Sequence, residues 1–283
     1  LSWRSWLFVP GADAAAHRAA ARSGADVIVL ELEDFTPPEL RPKARALSAG
    51  ALELWRKAGA TTAVRINPLD SGGLDDLMGV LAARPEILMM SKVTSPEQVR
   101  ALEQATGAAV DLVPNIESAA GLLRACEIAM ASKRVRAMLV ASEDMAADLG
   151  TSRSRGGEEL AYVRARFLVD CRASGVEAID CPYTFSDVKG AVADAMWARR
   201  LGYRMKSLVD PAHARAINAV FTPSKGEVLK AGKIVAAFEK ARKAGKDRAK
   251  VDGALIEVPA YAAAKRLLES AAHSSPPRRK KRG

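Results

Sequence analysis

Long apolar runs are missing from this 283-residue chain. No stretch approaches the roughly 20 residues that a membrane-spanning helix needs, which excludes one. Cysteine is scarce as well. Cys126, Cys171 and Cys181 stand at neither metal-binding nor redox spacing, so a disulfide framework and a thiolate zinc site are excluded, and buried thiols in a cytoplasmic protein are expected. Histidine is limited to His17, His213 and His273. The turn after the first apolar run reads Pro10-Gly11-Ala12-Asp13-Ala14 and lacks the glycine pattern of a dinucleotide-binding sheet. Leu1–Val9 is short, is broken by Arg4 and has no small-residue cleavage site, so it reads as a first strand and not as a signal peptide.

Hydrophobic residues make up 49% and charged residues 27% of the chain, a balance that folds and is too apolar for disorder. The length admits one barrel or two smaller domains. The net charge is +10, and Arg278-Arg279-Lys280-Lys281-Arg282 supplies half of it. That run follows Ser274-Ser275-Pro276-Pro277, a composition unable to bury a core. A solvated tail over 273–283 is the main reading and a nucleic-acid contact the lesser one. The remaining excess of positive charge suits an anionic substrate.

Short apolar or β-branched runs recur at Ser5–Val9, Val27–Leu32, Thr62–Ile66, Ile87–Ser91, Val110–Ile116, Ala137–Ala141, Glu177–Cys181 and Arg204–Val209. Helical spacing fills the intervals, with Gly24, Gly59, Gly107, Gly175 and Gly202 closing helices and Thr94-Ser-Pro-Glu97 reading as a capping box. Eight strands, each followed by a helix, predict a (β/α)8 TIM barrel over residues 1–221, with a doubly wound open sheet as the alternative. Beyond Phe221 the pattern changes. A basic helix opened by Ser224-Lys-Gly-Glu227, an apolar segment at Ala254–Val258 and a helix over 259–272 form a C-terminal extension, expected to pack on the barrel or on a neighbouring subunit.

In such barrels the working residues lie where strands exit at their carboxyl ends. Here the exits read Glu31-Leu-Glu33-Asp34, Arg65-Ile-Asn67, Ser91-Lys92, Asn115-Ile-Glu117, Ser142-Glu-Asp144, Asp180-Cys181 and Asp210-Pro211. Acids at these places can also cap helices, an explanation that weighs about evenly for Lys92 and Asp180 and less for Glu117. Capping does not explain acids and an arginine on successive exits. Oxygen-only donors favour Mg2+, or Mn2+, over zinc, and Glu117 and Asp144 on neighbouring strands suit the role of ligands. The ion would polarise a bound hydroxy- or keto-acid. Trp55, Trp197 and Met89-Met90 are read as core, and Cys181 as no nucleophile.

Six stretches taken together resemble the HpcH/HpaI aldolase superfamily, in its citrate lyase beta-subunit and malyl-/citramalyl-CoA lyase branch. They are Trp6-Leu-Phe-Val-Pro-Gly11, Leu30-Glu-Leu-Glu-Asp34, Val64-Arg-Ile-Asn67, Ile116-Glu-Ser-Ala-Ala-Gly121-Leu-Leu, Ser142-Glu-Asp-Met-Ala-Ala-Asp-Leu-Gly150 and Asn218-Ala-Val-Phe-Thr-Pro-Ser224. The resemblance implies a magnesium-dependent carbon–carbon lyase acting on a 3-hydroxy acid thioester through an enolate. It implies that Glu117 and Asp144 bind the metal and that Arg65 binds substrate and stabilises the enolate. Glu33 and Asp34 would orient groups around the ion, Lys92 would add a substrate contact, and Glu257 would transfer a proton. It further implies a homotrimer or hexamer in which the extension reaches a neighbour's site.

Four departures accompany it. Ala12-Asp13-Ala14-Ala15-Ala16 replaces an arginine-rich turn, Ser91-Lys92 replaces Pro-Lys, Val209-Asp210-Pro211 replaces Ile-His-Pro, and Glu257 replaces aspartate. Losing cations at a phosphate site removes charge-assisted contacts, for which Arg18 or Arg153-Ser-Arg155 would have to compensate. Two alternatives therefore stand beside the thioester lyase: a CoA-independent aldolase on a free keto- or hydroxy-acid, and a non-catalytic metabolite-binding relative.

Overall fold

Eight short strands pair in sequence order in the computed structural model, which describes residues 3–107 and 110–274. They are β1 (Ser5–Pro10), β2 (Val27–Glu31), β3 (Thr61–Ile66), β4 (Ile87–Met90), β5 (Asp111–Ile116), β6 (Ala137–Val140), β7 (Glu177–Asp180) and β8 (Met205–Leu208). All pair in parallel, and β8 closes on β1 through the register Trp6 to Ser207. The expected (β/α)8 barrel is the observed one, and every strand end falls within one residue of the apolar run that signalled it.

The strands are apolar on both faces because each face meets a different core. Trp6, Phe8, Val29, Met89, Val113 and Leu139 fill the barrel interior. Leu7, Leu30, Val64, Leu88, Leu112 and Val140 face outward against the helices. Alternation along a strand thus assigns each residue to one compartment.

The helices are α1 (Ala14–Ala20), α2 (Arg41–Lys57), α3 (Gly73–Val80), α4 (Pro96–Thr106), α5 (Ala119–Leu123), α6 (Ala125–Ala129), α7 (Glu143–Asp148), α8 (Ala161–Ala173), α9 (Val188–Leu201) and α10 (Ala214–Phe221). The expected single helix after β5 is two, broken at Arg124, whose backbone leaves the helical region. At α4 the capping residues shift by one from those expected. Gln98, not Glu97, turns back, accepting from the backbone N–H groups of Thr94 and Ser95 at 2.8 and 3.1 Å.

Residues Trp3–Phe221 form one unit, and a second begins at Thr222. The second unit holds α11 (Lys225–Lys243), the antiparallel strands β9 (Ala249–Val251) and β10 (Ala254–Ile256), and α12 (Val258–Ser274). Asp252 and Gly253, both at positive φ, make the two-residue turn of that hairpin. Within this unit Phe238 stacks on Tyr261. The basic run Arg278–Arg282 lies outside the described residues. Among the described residues no helix is long and apolar enough to cross a membrane.

Candidate functional site

Val27, Val29 and Glu31 on β2, Ala63 and Arg65 on β3, and Val113, Asn115 and Glu117 along and just past β5 share the inward parity. The charged residues therefore meet at the mouth. Arg65 is almost fully buried and stands among four carboxylates. Its Nε donates to Glu31 Oε1 at 2.8 Å. Nη2 lies 3.2 Å from Glu33 and 3.9 Å from Asp34, and Nη1 lies 3.6 Å from Glu117 Oε1. Phe8 packs against the guanidinium, its ring centre 5.1 Å away. Burial alone would push Arg65 toward neutrality, but Glu31, Glu117 and Glu33 reverse this and raise its pKa.

Glu31 was one acid among three in the linear exit and carried no expected role. The structure gives it one. Besides holding Arg65, its carboxylate accepts from the backbone N–H of Glu33 at 2.7 Å and of Phe35 at 2.6 Å, fixing the turn that presents Glu33 and Asp34. Its period-two spacing with Val27 and Val29 is the signal that marks it as inward.

Burial pushes Glu33 up to about 7; Arg65 pulls the other way, while a shared hydrogen bond with Asp34 raises it further. Burial also acts on Asp34, but that bond and the cations Arg65 and Lys92 hold it below its ordinary value. Lys92 pairs with Glu33 and lies 3.4 Å from Asp34. It sits at φ +55, a left-handed conformation uncommon for a side chain of its size.

Glu117 and Asp144 leave neighbouring strands, Glu117 immediately after β5 and Asp144 in the first turn of α7. Glu117 is 3% exposed, and neither carboxylate oxygen has a hydrogen-bond partner. Burial pushes its pKa up to about 8 against the pull of Arg65, with the charges of Glu33 and Asp144 adding to the rise. Asp144 is raised by burial and then by Asp34. Ser142 Oγ and both amide atoms of Asn115 are likewise buried and unpartnered. The two orphaned oxygens of Glu117 suit a hard cation, with Asp144 as the second carboxylate donor. Among the described residues, no group of three or more His, Cys, Asp or Glu side chains could hold a metal by itself. Two carboxylates and ligand oxygens are the fit, since magnesium commonly keeps water and substrate in its octahedron.

Past Glu117 the chain turns sharply into α5. Ser118 caps the helix by accepting from the N–H of Gly121 at 3.2 Å. A Cβ at Gly121 would stand 2.6 Å from the carbonyl of Val93, so glycine lets α5 seat against the loop after Lys92.

The sequence pattern of the HpcH/HpaI aldolase/citrate lyase family matches residues 4–211. The chain belongs to this family. It is 33% identical over 280 residues to the citrate lyase subunit beta of Haemophilus influenzae, covering 95% of this chain and 96% of that one. It is also 33% identical over 264 residues to a (3S)-malyl-CoA thioesterase of Cereibacter sphaeroides, covering 90% of each. Among solved structures, CitE from Mycobacterium tuberculosis in complex with magnesium, acetoacetate and coenzyme A superposes with a TM-score of 0.77 at 25% identity. That match covers 96% of this chain and all of CitE.

Of the residues read at strand exits, Asp180 and Asp210 do other work. Asp180 points outward and is a correction. It accepts from Arg164 at 2.7 and 2.8 Å and from Lys206 at 2.6 Å, in a buried cluster completed by Asp194. Asp210 accepts from the N–H of Ala212 and Asp13 from those of Ala15 and Ala16, both as caps. Arg153 pairs with Glu143 and Glu159, and Arg155 with Asp187 beside Tyr183. Glu257 belongs to the second unit, exposed between β10 and α12.

Proposed function

We propose that this chain is a metal-dependent carbon–carbon lyase that cleaves or forms a 3-hydroxy acid thioester through an enolate. The observation that supports it most is Glu117. Its carboxylate faces the barrel axis with both oxygens unpartnered, Arg65 is 3.6 Å away, and Asp144 stands on the next strand exit. Glu117 and Asp144 would hold Mg2+ or Mn2+. The ion, when bound, supplies Lewis acidity to the oxygens of the hydroxy or oxo acid.

The other residues define the rest of the chemistry. Arg65, fixed by Glu31, presents a permanently charged fork where the enolate oxygen develops, and a positioned donor of this kind contributes a few kcal/mol. Glu33, raised to about 7, is poised to hold or release a proton at neutral pH, while Asp34 stays ionised. Lys92 fixes the pair and adds a cation for the carboxylate of the acid. By the resemblance of its segment, Glu257 is the candidate for proton transfer at carbon. Homo-oligomerisation remains part of this reading, as does the solution space of the cytoplasm.

A second reading, a CoA-independent aldolase on free acids, is favoured by the arginines. Arg153 and Arg155 are engaged by carboxylates, and Asp13 occupies the turn where phosphate-binding arginines are expected. One assay separates the two readings: cleavage of 3-hydroxyacyl-CoA thioesters beside the matching free acids, with Mg2+. Turnover of the thioesters, lost by at least about 1000-fold in Glu117→Ala and Asp144→Ala, is expected for the lyase. Turnover of free acids alone selects the aldolase. Full activity in both variants after exhaustive chelation would falsify the metal-dependent mechanism.

A further inference from the structure

Asn115 is a buried polar group at the mouth that the mechanism above leaves unused. Its parity on β5 is that of Val113 and Glu117, whereas Ile116 belongs to the core outside the barrel. Asn115 is 0% exposed, and both Nδ2 and Oδ1 lack a hydrogen-bond partner. Buried amides are paired in almost all proteins, because an unpaired one carries its full desolvation cost. Two of its neighbours on that face are apolar. Leu139 stands opposite on β6 and Val113 lies below on the same face.

Three other inward or rim polar groups are committed. Glu31 holds Arg65 and two backbone N–H groups, Ser207 Oγ donates to the carbonyl of Asp180, and Ser91 Oγ donates to that of Ile66. Asn115 alone among these keeps a free donor and a free acceptor directly beneath Glu117. Two residues along a strand span about 6.6–6.8 Å. A carboxamide reaching up and a one- or two-carbon arm of a ligand reaching down together bridge that step.

We propose that Asn115 is a specificity-determining residue: its carboxamide hydrogen-bonds an oxygen on the carbon arm beyond the 2-oxo group of the bound acid. The barrel therefore selects oxo acids bearing a carboxylate or hydroxyl there over those that end in methyl. This rests on the metal-dependent reading above. A site built around a hydrogen bond rejects the analogue lacking it, because its own buried groups are then left unpaired.

The test is calorimetric titration of the full chain, loaded with Mn2+, with oxaloacetate and with pyruvate, in wild type and Asn115→Leu. Melting of the metal-free proteins accompanies it. Wild type is expected to bind oxaloacetate more tightly. In Asn115→Leu, oxaloacetate affinity is expected to fall about 10- to 100-fold. Affinities for pyruvate and Mn2+ should change less than about twofold, and the variant should melt no lower than wild type, since an apolar isostere replaces an unpaired amide. If the leucine variant does not fold, Asn115→Ala takes its place in the same titrations.

Unchanged oxaloacetate affinity, or an equal loss for both acids, overturns the proposal. A lower melting point with oxaloacetate binding intact also overturns it, marking an amide held by an internal water. Equal affinity of wild type for the two acids overturns this inference alone. A wild type that takes up Mn2+ but neither acid overturns the lyase reading and this inference with it.

Discussion

Glu117 is where local chemistry is most sharply constrained. An acid whose folded value, about 8, lies above its unfolded value near 4.5 penalises the fold once pH passes the lower figure. Below about 4.5 both states are protonated and nothing is lost. Between the two values the unfolded chain ionises first, so stability falls as pH rises. Metal-free Glu117→Gln should consequently melt above wild type at pH 8–9, by several degrees, with the gap closing toward pH 5. Metal uptake runs the other way. The carboxyl must lose its proton, so Mn2+ affinity should rise about tenfold per pH unit up to about 8 and then level off. A flat melting difference across this range would place the ionised carboxylate in a comfortable setting and refute the account.

At the scale of elements, β7, β8, α8 and α9 are joined by the buried cluster of Arg164, Asp180, Asp194 and Lys206. Arg164 also lies over the ring of Trp197, 4.2 Å from its centre. Removing one member strands charges in the wall, which costs about 3–5 kcal/mol. Asp180→Ala should lower the melting point on the order of 10 °C in thermal unfolding. Its Mn2+ affinity should stay that of wild type, because the cluster faces away from the mouth. The sequence could not say which way Asp180 points, since Asp180-Cys181 resembles any other polar exit. Register with Lys206 on β8 decides it, and register is a tertiary fact. Helix α7, six residues long, is too short for a 3.6-residue repeat to declare itself. The hairpin of the second unit was legible in principle, through Asp252-Gly253, but its strands of three residues were not.

For the molecule as a whole, metal binding should appear as stability. With Mg2+ at about 100 times its dissociation constant, unfolding free energy should rise by about 2.7 kcal/mol. A scan should show a melting shift of several degrees in wild type and none in Asp144→Asn. Equal shifts in both would move the ion elsewhere. The barrel was readable at this scale because every strand is apolar on both faces and every crossover long enough for a helix. The acids and the arginine at the mouth were readable because strand exits are fixed by the same pattern. What escaped was mutual placement. Glu31 and Asn115 look like neighbours of important residues in the chain and become important only through parity.

That parity separates two kinds of inheritance along a single strand. On β5, Pro114 and Ile116 look toward the helices while Asn115 and Glu117 look toward the axis. A change at position 115 leaves the wall that its flanking residues build untouched. On the role proposed for Asn115, a descendant could change the acid it prefers at that one inward position while the outward wall of β5 stays as it is.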